Sequence, residues 1–364
     1  MRDPGSDVLV VGAGVAGGAC AAMLAQAGLR VALIEERPIG VATDPTPEWV
    51  TPATLECLRT AEVDLSSVLG PPLSGVTFHS ADLTQQIESL QADPPAYCVD
   101  YGALAAEVAR QAAGLGAHVL TGCRATSVEL SEDAVTVVTN KEGPLRGRFL
   151  VWATGAEAST NSNGAKAGCV VTVQRPLTAV SGDRSMHWVL GLPGERTLGC
   201  WWFDGSGLMM RLQGRGDKVG VCRELDELTE RAASVRMIPC DVMGVRGKGV
   251  VRTVAAPLAL EFDSHVGKNT LTIGEAGGFI ASSSGDGIYP GVWSARLAVD
   301  TLLCAVGSRH TQDELQGFDT LWRSTMGEYL RPPDTDTPFL LPIIFSNRRM
   351  ADRMAGALWR GENV

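Results

Sequence analysis

The chain has 364 residues, of which 45% are hydrophobic and 20% are charged, and its net charge is −10. These values are typical of a soluble globular protein of about two domains, and they exclude a broad basic field for nucleic acid. No apolar run approaches the roughly 20 residues of a membrane-spanning helix, and no secretory signal precedes the first predicted strand. We therefore expect a cytoplasmic protein.

The first predicted elements are a strand, a glycine-rich turn and a helix. Residues Asp7–Val11 form the continuous apolar run of a strand buried on both faces. Gly12, Gly14 and Gly17 follow as G-x-G-x-x-G, and a small-residue helix runs on to Gln26. In this motif the glycines allow a tight turn, let a pyrophosphate approach the backbone and bring helix and strand together. The pattern predicts a dinucleotide site at the N-terminus of the helix.

A second buried strand, Val31–Ile34, ends in Glu35, which lies 23 positions after Gly12. At this spacing an acidic side chain accepts hydrogen bonds from the ribose hydroxyls of the adenosine. Glu36 is a second and weaker candidate for the same contact. The first forty residues therefore predict a Rossmann-type fold, which by itself accepts either FAD or NAD.

Two later segments favour FAD. A predicted strand meander over residues 123–151 closes on Ala153, Thr154 and Gly155, which resembles the flavoprotein segment that returns to the cofactor. A short strand from Thr270 then reaches Gly274 and Glu275, which resembles the second FAD motif. We therefore expect FAD as the cofactor.

The longest motif indicates a family. Gly274-Glu-Ala-Gly-Gly-Phe-Ile-Ala-Ser-Ser-Ser-Gly-Asp-Gly-Ile-Tyr289 is similar to a Gly-Asp-Ala-Ala-Gly-Phe stretch followed by Gly-Glu-Gly-Ile-Tyr in the geranylgeranyl reductase family of hydroxylase-like flavoproteins. The segment from Glu48 to Leu58 and the looser Gly199-Cys-Trp-Trp-Phe203 add to the resemblance. It implies that Glu275, where the family usually has Asp, contacts the ribityl or pyrophosphate part of FAD.

The same motif contains a turn before a predicted helix. Gly285, Asp286, Gly287 and Ile288 precede a helix over Tyr289–Leu303, with Pro290 in its first turn. The start of a helix offers backbone amides and a positive dipole end. We expect these residues to face the N1 and O2 region of the flavin.

Two departures from the family and one absent motif bear on electron supply. Thr154-Gly155 stands where relatives carry Asp-Gly, and the helix beginning near Asp100 and Tyr101 lacks an arginine that many relatives have there. No second strand with G-x-G-x-x-G follows, and the glycines of Gly244–Gly249 lack a flanking buried strand and helix. NAD(P)H would therefore dock transiently, or another donor such as an electron-donor protein would supply electrons.

The predicted fold class is α/β: a Rossmann-type FAD-binding domain with an inserted antiparallel sheet and C-terminal helices. We assign the FAD-binding domain to residues 1–75, 98–160 and 266–310, the substrate domain to 76–97 and 161–265, and a C-terminal helical segment to 311–364. Alternating apolar positions predict strands in the substrate domain: Cys169–Val173, Met186–Leu190, Leu208–Leu212 and Lys218–Cys222.

Catalytic residues are not evident, and three side chains are weak candidates. Trp201 and Trp202 fall on opposite faces if they lie on a strand, so one of them could line an apolar cavity. His187 is a possible acid or base, although a lone histidine in an apolar strand is more often structural. The histidines and cysteines show no metal-ligand spacing, so we expect no metal site.

The apolar segment Thr337–Phe345 lies between Arg331 and the pair Arg348-Arg349. It covers a tunnel, touches lipid, or packs internally in helices that close the core, and contact with lipid would mean peripheral membrane association.

Three functions remain open. The first is a reductase that passes a hydride from reduced FAD to a carbon-carbon double bond of an apolar, isoprenoid or lipid-like substrate. The second is an FAD-dependent monooxygenase of a small or aromatic substrate, and the third is a non-catalytic flavin-binding protein. All three rest on fold analogy more than on identified catalytic residues.

Overall fold

The fold is taken from a computed structural model that describes residues 5–39, 46–156, 169–177, 183–193, 196–238, 250–332 and 337–361. The predicted loop Gly244–Gly249 lies outside these residues. Within them, no helix is long and apolar enough to cross a membrane.

The first sheet contains the glycine-rich turn. Its path runs β17-β18-β11-β1-β2-β8, with β9 and β10 joined to it through β11. From β18 to β8 the neighbours are parallel. The strands are β1 Ser6–Val11, β2 Val31–Glu35, β8 His118–Thr121, β9 Ala125–Leu130, β10 Val135–Thr139, β11 Gly143–Trp152, β17 Val266–Gly267 and β18 Thr270–Thr272.

Both faces of this sheet are covered, which explains the unbroken apolar run in β1. Val8 and Val10 pack on the helices α1 Val15–Gln26, α3 Tyr101–Gly114 and α5 Ile288–Gly307. Leu9 and Val11 pack on the other side, against apolar side chains of β10. A strand in this position has to be apolar at every residue, so β1 could be predicted without alternation in its sequence.

The second sheet has seven strands in the order β16-β12-β15-β14-β13-β5-β6. It is antiparallel except for β13 and β5, which pair in parallel, so the predicted antiparallel sheet is corrected at this pair. The two strands come from segments about a hundred residues apart, and no hairpin sets their direction. The strands are β5 Gly75–Ser80, β6 Gln86–Leu90, β12 Cys169–Leu177, β13 Ser185–Leu190, β14 Arg196–Phe203, β15 Leu208–Gly214 and β16 Val250–Ala255.

One predicted strand is wrong. Lys218–Cys222 forms the first turns of α4, Lys218–Ser234. The side chain of Asp217 accepts a hydrogen bond of 2.8 Å from the amide of Gly220, which caps the helix. Five residues are too few to distinguish strand alternation from one apolar face of a helix.

The remaining elements lie around the second sheet. Helix α4 covers one face, while α7 Thr337–Ser346 and α8 Arg348–Arg360 cover part of the other. A small sheet, with β7 Tyr97–Asp100 between β3 Pro47–Val50 and β4 Leu69–Pro72, lies next to that second face. The other helices are α2 Pro52–Arg59, α6 Thr311–Leu330 and short 3-10 turns at Ala259–Glu261 and Gly274–Gly277.

Candidate functional site

The turn between β1 and α1 leaves no room for side chains. Gly12 has φ of +103°, and a Cβ atom there would lie 2.3 Å from the carbonyl oxygen of Ala153. A Cβ atom on Gly17 would lie 1.9 Å from the carbonyl oxygen of Gly12. Both distances are far below van der Waals contact, so glycine is required at both positions. Helix α1 then begins after Gly14 without a side-chain cap at its N-cap residue, so the amides of its first turn, apart from that of Val15, remain available for an anion.

Glu35 lies at the end of β2, beside this turn. Its carboxylate accepts hydrogen bonds from the amide of Ala13 at 2.7 Å and from the amide of Arg37 at 2.9 Å. The residue is only 8% exposed, which fixes the carboxylate close to the start of α1. Glu36 is exposed, so its side chain is less constrained and less suited to hold a ribose.

Two hydroxyl groups lie next to the glycine-rich turn. Thr154 follows β11, its backbone crowds Gly12, and its Oγ1 is buried without a partner among the described residues. The Tyr101 hydroxyl lies 3.1 Å from the position a Cβ atom would take on Gly14 and interacts with the amide of Val15. Burial raises the pKa of Tyr101 above its usual range. The phenol is therefore neutral.

Gly274 and Glu275 connect this turn to α5. Gly274 has φ of +60°, and a Cβ atom there would lie 2.9 Å from that of Ala16 in α1. The Glu275 Oε1 atom lies 3.2 Å from the position of a Cβ atom on Gly287. Burial raises the pKa of the Glu275 carboxyl to about 7, and the negative charge of Glu48 adds to this shift. Glu275 is therefore partly protonated at neutral pH.

The turn before α5 has a cap of its own. The Asp286 carboxylate accepts hydrogen bonds from the amides of Ile288 at 2.8 Å and Tyr289 at 3.3 Å. Of the four residues expected to face a flavin, Ile288 therefore already uses its amide within the chain, as do Gly285 and Asp286. Burial raises the pKa of Asp286 to about 6, although these two hydrogen bonds oppose the shift. Gly285, with φ of +70°, completes the turn.

The second sheet reaches this turn through polar side chains. The side-chain nitrogen Nε2 of Gln213 lies 3.6 Å from the position a Cβ atom would take on Gly285. On the same strand, two residues earlier, Arg211 forms an ion pair of 2.5 Å with Glu48 of β3. The Arg211 guanidinium also lies about 5 Å from the ring centres of Trp49 and Trp202, at 5.0 and 5.2 Å respectively. We call these residues the polar roof: Glu48, Arg211 and Gln213, with Thr172 and Gln174 of β12 beside them.

The three weak catalytic candidates are divided between the two faces of this sheet. Trp202 is fully buried on the face of the polar roof, and its indole N–H has no partner among the described residues. Trp201 packs on the other face, in the cluster with α4. His187 stacks on Trp201 with ring centres 5.0 Å apart. The geometry thus places Trp202, and neither of the other two, on the side of the cofactor cradle.

His187 belongs to a chain of hydrogen bonds. Its Nε2 lies 3.0 Å from an Asp183 carboxylate oxygen, and its Nδ1 lies 2.9 Å from Nε2 of His79. If His187 donates to Asp183, its other nitrogen accepts from His79. Burial, together with the neighbouring His187, lowers the pKa of His79 to about 3. This arrangement is consistent with a structural role for His187.

Sequence reasoning missed the polar roof, although a signal was present. Arg211 and Gln213 interrupt an apolar strand at positions i and i+2, and Thr172 and Gln174 do the same in β12. Side chains two residues apart share one face of a strand. The pattern could have indicated a polar face, but the facing Glu48 is 163 residues away from Arg211 and could not have been paired with it.

These residues fit the ADP half of FAD. The glycine cradle leaves space for a pyrophosphate, α1 presents amides to it, and Glu35 lies where a ribose would sit. The unpartnered hydroxyl of Thr154 adds a polar group that the chain itself does not satisfy. The Glu275 and Asp286 segments extend this cradle towards the polar roof, where the flavin end would lie.

Several solved structures superpose on this fold. A geranylgeranyl bacteriochlorophyll reductase-like protein from Thermoplasma acidophilum superposes with a TM-score of 0.77, at 17% identity, over 98% of this chain and 97% of its own. The p-nitrophenol 4-monooxygenase of Pseudomonas putida gives 0.69 at 14% identity, over 97% and 98%. A probable FAD-dependent monooxygenase from Pseudomonas aeruginosa gives 0.65 at 16%, over 95% and 98%. The predicted Rossmann-type flavoprotein fold is confirmed.

Comparison of the sequence with protein families adds the identification. No curated protein matched the sequence. A family model for FAD dependent oxidoreductases matches residues 7–94 and 80–217, more than half of the chain. The matched range contains the glycine-rich turn, Glu35 and Arg211. The chain belongs to the FAD dependent oxidoreductase family.

Proposed function

We propose that this oxidoreductase hydrogenates a carbon-carbon double bond of an apolar, isoprenoid- or lipid-like substrate. Among the three superposed proteins the reductase-like one gives the highest TM-score, and the Gly274–Tyr289 motif supports the same assignment. The observation that carries the proposal is the superposition with this reductase-like protein over 98% of the chain. Within the motif, burial raises the pKa of the Glu275 carboxyl to about 7, so this group can hold a proton at neutral pH.

Hydrogenation of a double bond needs one hydride and one proton. Reduced FAD supplies the hydride when it is bound. The chain has to supply the proton, and a carboxyl group with a pKa near the working pH is suited to donate it. Glu275 lies against the Gly287 turn, and Glu48 is near enough for its charge to raise the Glu275 pKa. We propose Glu275 as the candidate proton donor, in place of the ribityl or pyrophosphate contact that the family resemblance implies.

The polar roof would orient the substrate. Arg211 packs against two tryptophan rings and forms an ion pair with Glu48, so its guanidinium has a fixed position. The apolar side chains of the same sheet face, including Trp202, would exclude water from a bound hydrocarbon. Such a face accepts a molecule with a polar end and an apolar remainder.

Monooxygenation of a small aromatic compound is the second candidate. Two of the superposed proteins are described as monooxygenases, and a roof with Arg211, Gln213 and Gln174 would also suit a polar ring substituent. In this case the product gains oxygen instead of hydrogen.

One experiment separates the two reactions. The FAD-loaded protein is reduced with dithionite under nitrogen and mixed with geranylgeraniol or with p-nitrophenol, with and without oxygen. The proposal predicts oxidation of the flavin by the alkene without oxygen and a product heavier by two hydrogen atoms. Glu275→Gln should slow this step, whereas Glu36→Gln should not. A product that carries one oxygen atom derived from labelled dioxygen, formed only with oxygen and with or without loss of the nitro group, would replace the reductase by a monooxygenase.

A further inference from the structure

Helix α7 exposes an apolar face. Phe339 is 73% exposed and Ile343 is 40% exposed, and Pro342 between them is exposed as well. Residues three and four positions apart lie on the same side of a helix. The three side chains therefore form one continuous apolar strip on the outside of the molecule.

The opposite face of α7 holds the helix firmly in place. Leu340 and Ile344 are buried in the cluster that contains Trp202 and Trp359. Leu341 packs against Gly191, next to the end of β13. The exposed strip is therefore part of a well-packed helix, which presents Phe339 and Ile343 outward from a fixed position.

Basic side chains follow directly after this strip. Arg348, Arg349 and Arg353 are exposed on α8, and none of them forms an ion pair within the described part of the chain. Asp352, on the same face, is hydrogen-bonded to Ser89 at 2.7 Å. Three arginines and one aspartate give this face a charge of +2, in a chain whose net charge is −10.

The segment Arg331–Arg353, which includes α7 and the start of α8, has a smaller positive charge than the exposed face of α8 alone. Asp334 and Asp336, which lie outside the described residues, precede α7, and Arg331 pairs with Glu328. Counting from Arg331 to Arg353 gives four arginines and three aspartates. The apolar strip therefore has to supply most of any attraction, and the free arginines supply the preference for negative charge.

We propose that the outer face of α7 and the exposed face of α8 bind the surface of an anionic lipid bilayer. Apolar side chains that insert below the headgroups, flanked by arginines that meet anionic headgroups, are the usual means of peripheral attachment. A second copy of the chain is a poorer partner, because a two-fold contact through this face would bring like-charged arginines together. The proposal is independent of the reaction catalysed.

Attachment here would bring the bilayer close to the candidate site. The inner face of α7 packs in the same cluster as Trp202 and Trp49, which flank Arg211 of the polar roof. Only one helix would then separate the lipid surface from the sheet above the cofactor cradle. A lipid-like substrate would have a short path to the site.

The test is binding of the FAD-loaded full chain to vesicles, measured by flotation. We expect binding to phosphatidylglycerol–phosphatidylcholine vesicles and weaker binding to phosphatidylcholine alone. Arg348→Gln and Arg349→Gln should each lower the partition coefficient about fivefold on the anionic vesicles. Phe339→Ser should lower it by roughly tenfold or more on both. Val219→Ser, at a residue 78% exposed on α4, and Arg124→Gln serve as matched controls that should change nothing.

Three results would overturn the proposal: no binding to either vesicle, binding that the α7 and α8 variants leave unchanged, or a dimer in sedimentation velocity that Phe339→Ser dissociates. With pre-reduced FAD, the variants should reduce a short, water-soluble alkene as fast as the unaltered enzyme does. A variant that loses vesicle binding and keeps normal flavin turnover supports the membrane surface alone. If neither the unaltered protein nor any variant turns over, the proposed reaction fails and the membrane proposal is unaffected.

Discussion

Glu35 links the cofactor cradle to the end of β2 through its bond to the Ala13 amide. Its carboxylate is buried and fixed, so a ribose can bind to it without first ordering the side chain. We predict that Glu35→Ala weakens FAD binding by about 1–3 kcal/mol, the range for a lost charge-assisted hydrogen bond. Titration of the apoprotein with FAD, followed by flavin fluorescence, measures this change.

Glu36→Ala is the matched control, because it removes the same charge one residue further on, from an exposed side chain. Its FAD affinity should be unchanged. Equal losses in the two variants would mean that net charge, and not the Glu35 contact, determines affinity.

Glu275 links stability to pH. Burial raises its pKa from 4.5 to about 7, so the folded chain binds this proton more tightly than the unfolded chain does. The contribution of Glu275 to stability is therefore complete below about pH 4.5 and is lost as the pH rises through 7. We predict that Glu275→Gln leaves the flavin-free protein unchanged at pH 5 and stabilises it at pH 8 by roughly 1–3 kcal/mol.

Urea unfolding at the two pH values measures this difference. Asp286 titrates in a nearby range, since its pKa is raised from 3.8 to about 6, so Glu275→Gln removes only part of the pH dependence. A Glu275→Gln variant that is destabilised equally at pH 5 and pH 8 would show that the carboxyl is not desolvated.

At the level of elements, the approach of α1 to β1 depends on Gly17. A Cβ atom there would overlap the carbonyl oxygen of Gly12 at 1.9 Å, and neither backbone can move without displacing the turn. Gly17→Ala should therefore abolish FAD binding and destabilise the fold by several kcal/mol, on the order of 3 or more. Gly317→Ala is the control, at an exposed position of α6 with no atom within 4 Å.

Gly317→Ala should stabilise the protein by about 0.5–1 kcal/mol, because alanine favours the helix. Thermal unfolding of both variants, together with their flavin content, tests the pair. A yellow Gly17→Ala protein with an unchanged melting temperature would contradict the close approach described for α1.

How much could be predicted also differs between elements. The Rossmann turn could be predicted, because close contacts within the turn require its glycines and because Glu35 follows at a short spacing in the sequence. The start of α4 could not be predicted, because the apolar positions of Lys218–Cys222 fit a strand and a helix equally well. Only the hydrogen bond from the Gly220 amide to the Asp217 side chain shows that a helix begins there. The polar roof could not either, because the approach of Glu48 to Arg211 is set by how two sheets pack, which is a property of the whole chain.

At the level of the whole molecule, the flavin has to be reduced by an electron donor. The described residues contain one glycine cradle for a dinucleotide, at the start of α1, and Thr154 stands where the family resemblance implies an acidic residue. Hydride transfer requires the nicotinamide to be held close to the flavin. We predict that NADPH reduces the bound flavin much more slowly than dithionite does, as measured by stopped-flow bleaching. Complete bleaching by NADPH within milliseconds would contradict this prediction.

The central claim is that the chain holds the ADP half of FAD with the β1–α1 turn, Glu35 and Thr154. The most direct measurement compares FAD with FMN, which has the same flavin and lacks the ADP half, by calorimetric titration of the flavin-free protein. We predict one FAD bound per chain and FMN bound more weakly by about a hundredfold or more. Equal affinity for FMN and FAD, or no binding of FAD, would contradict it.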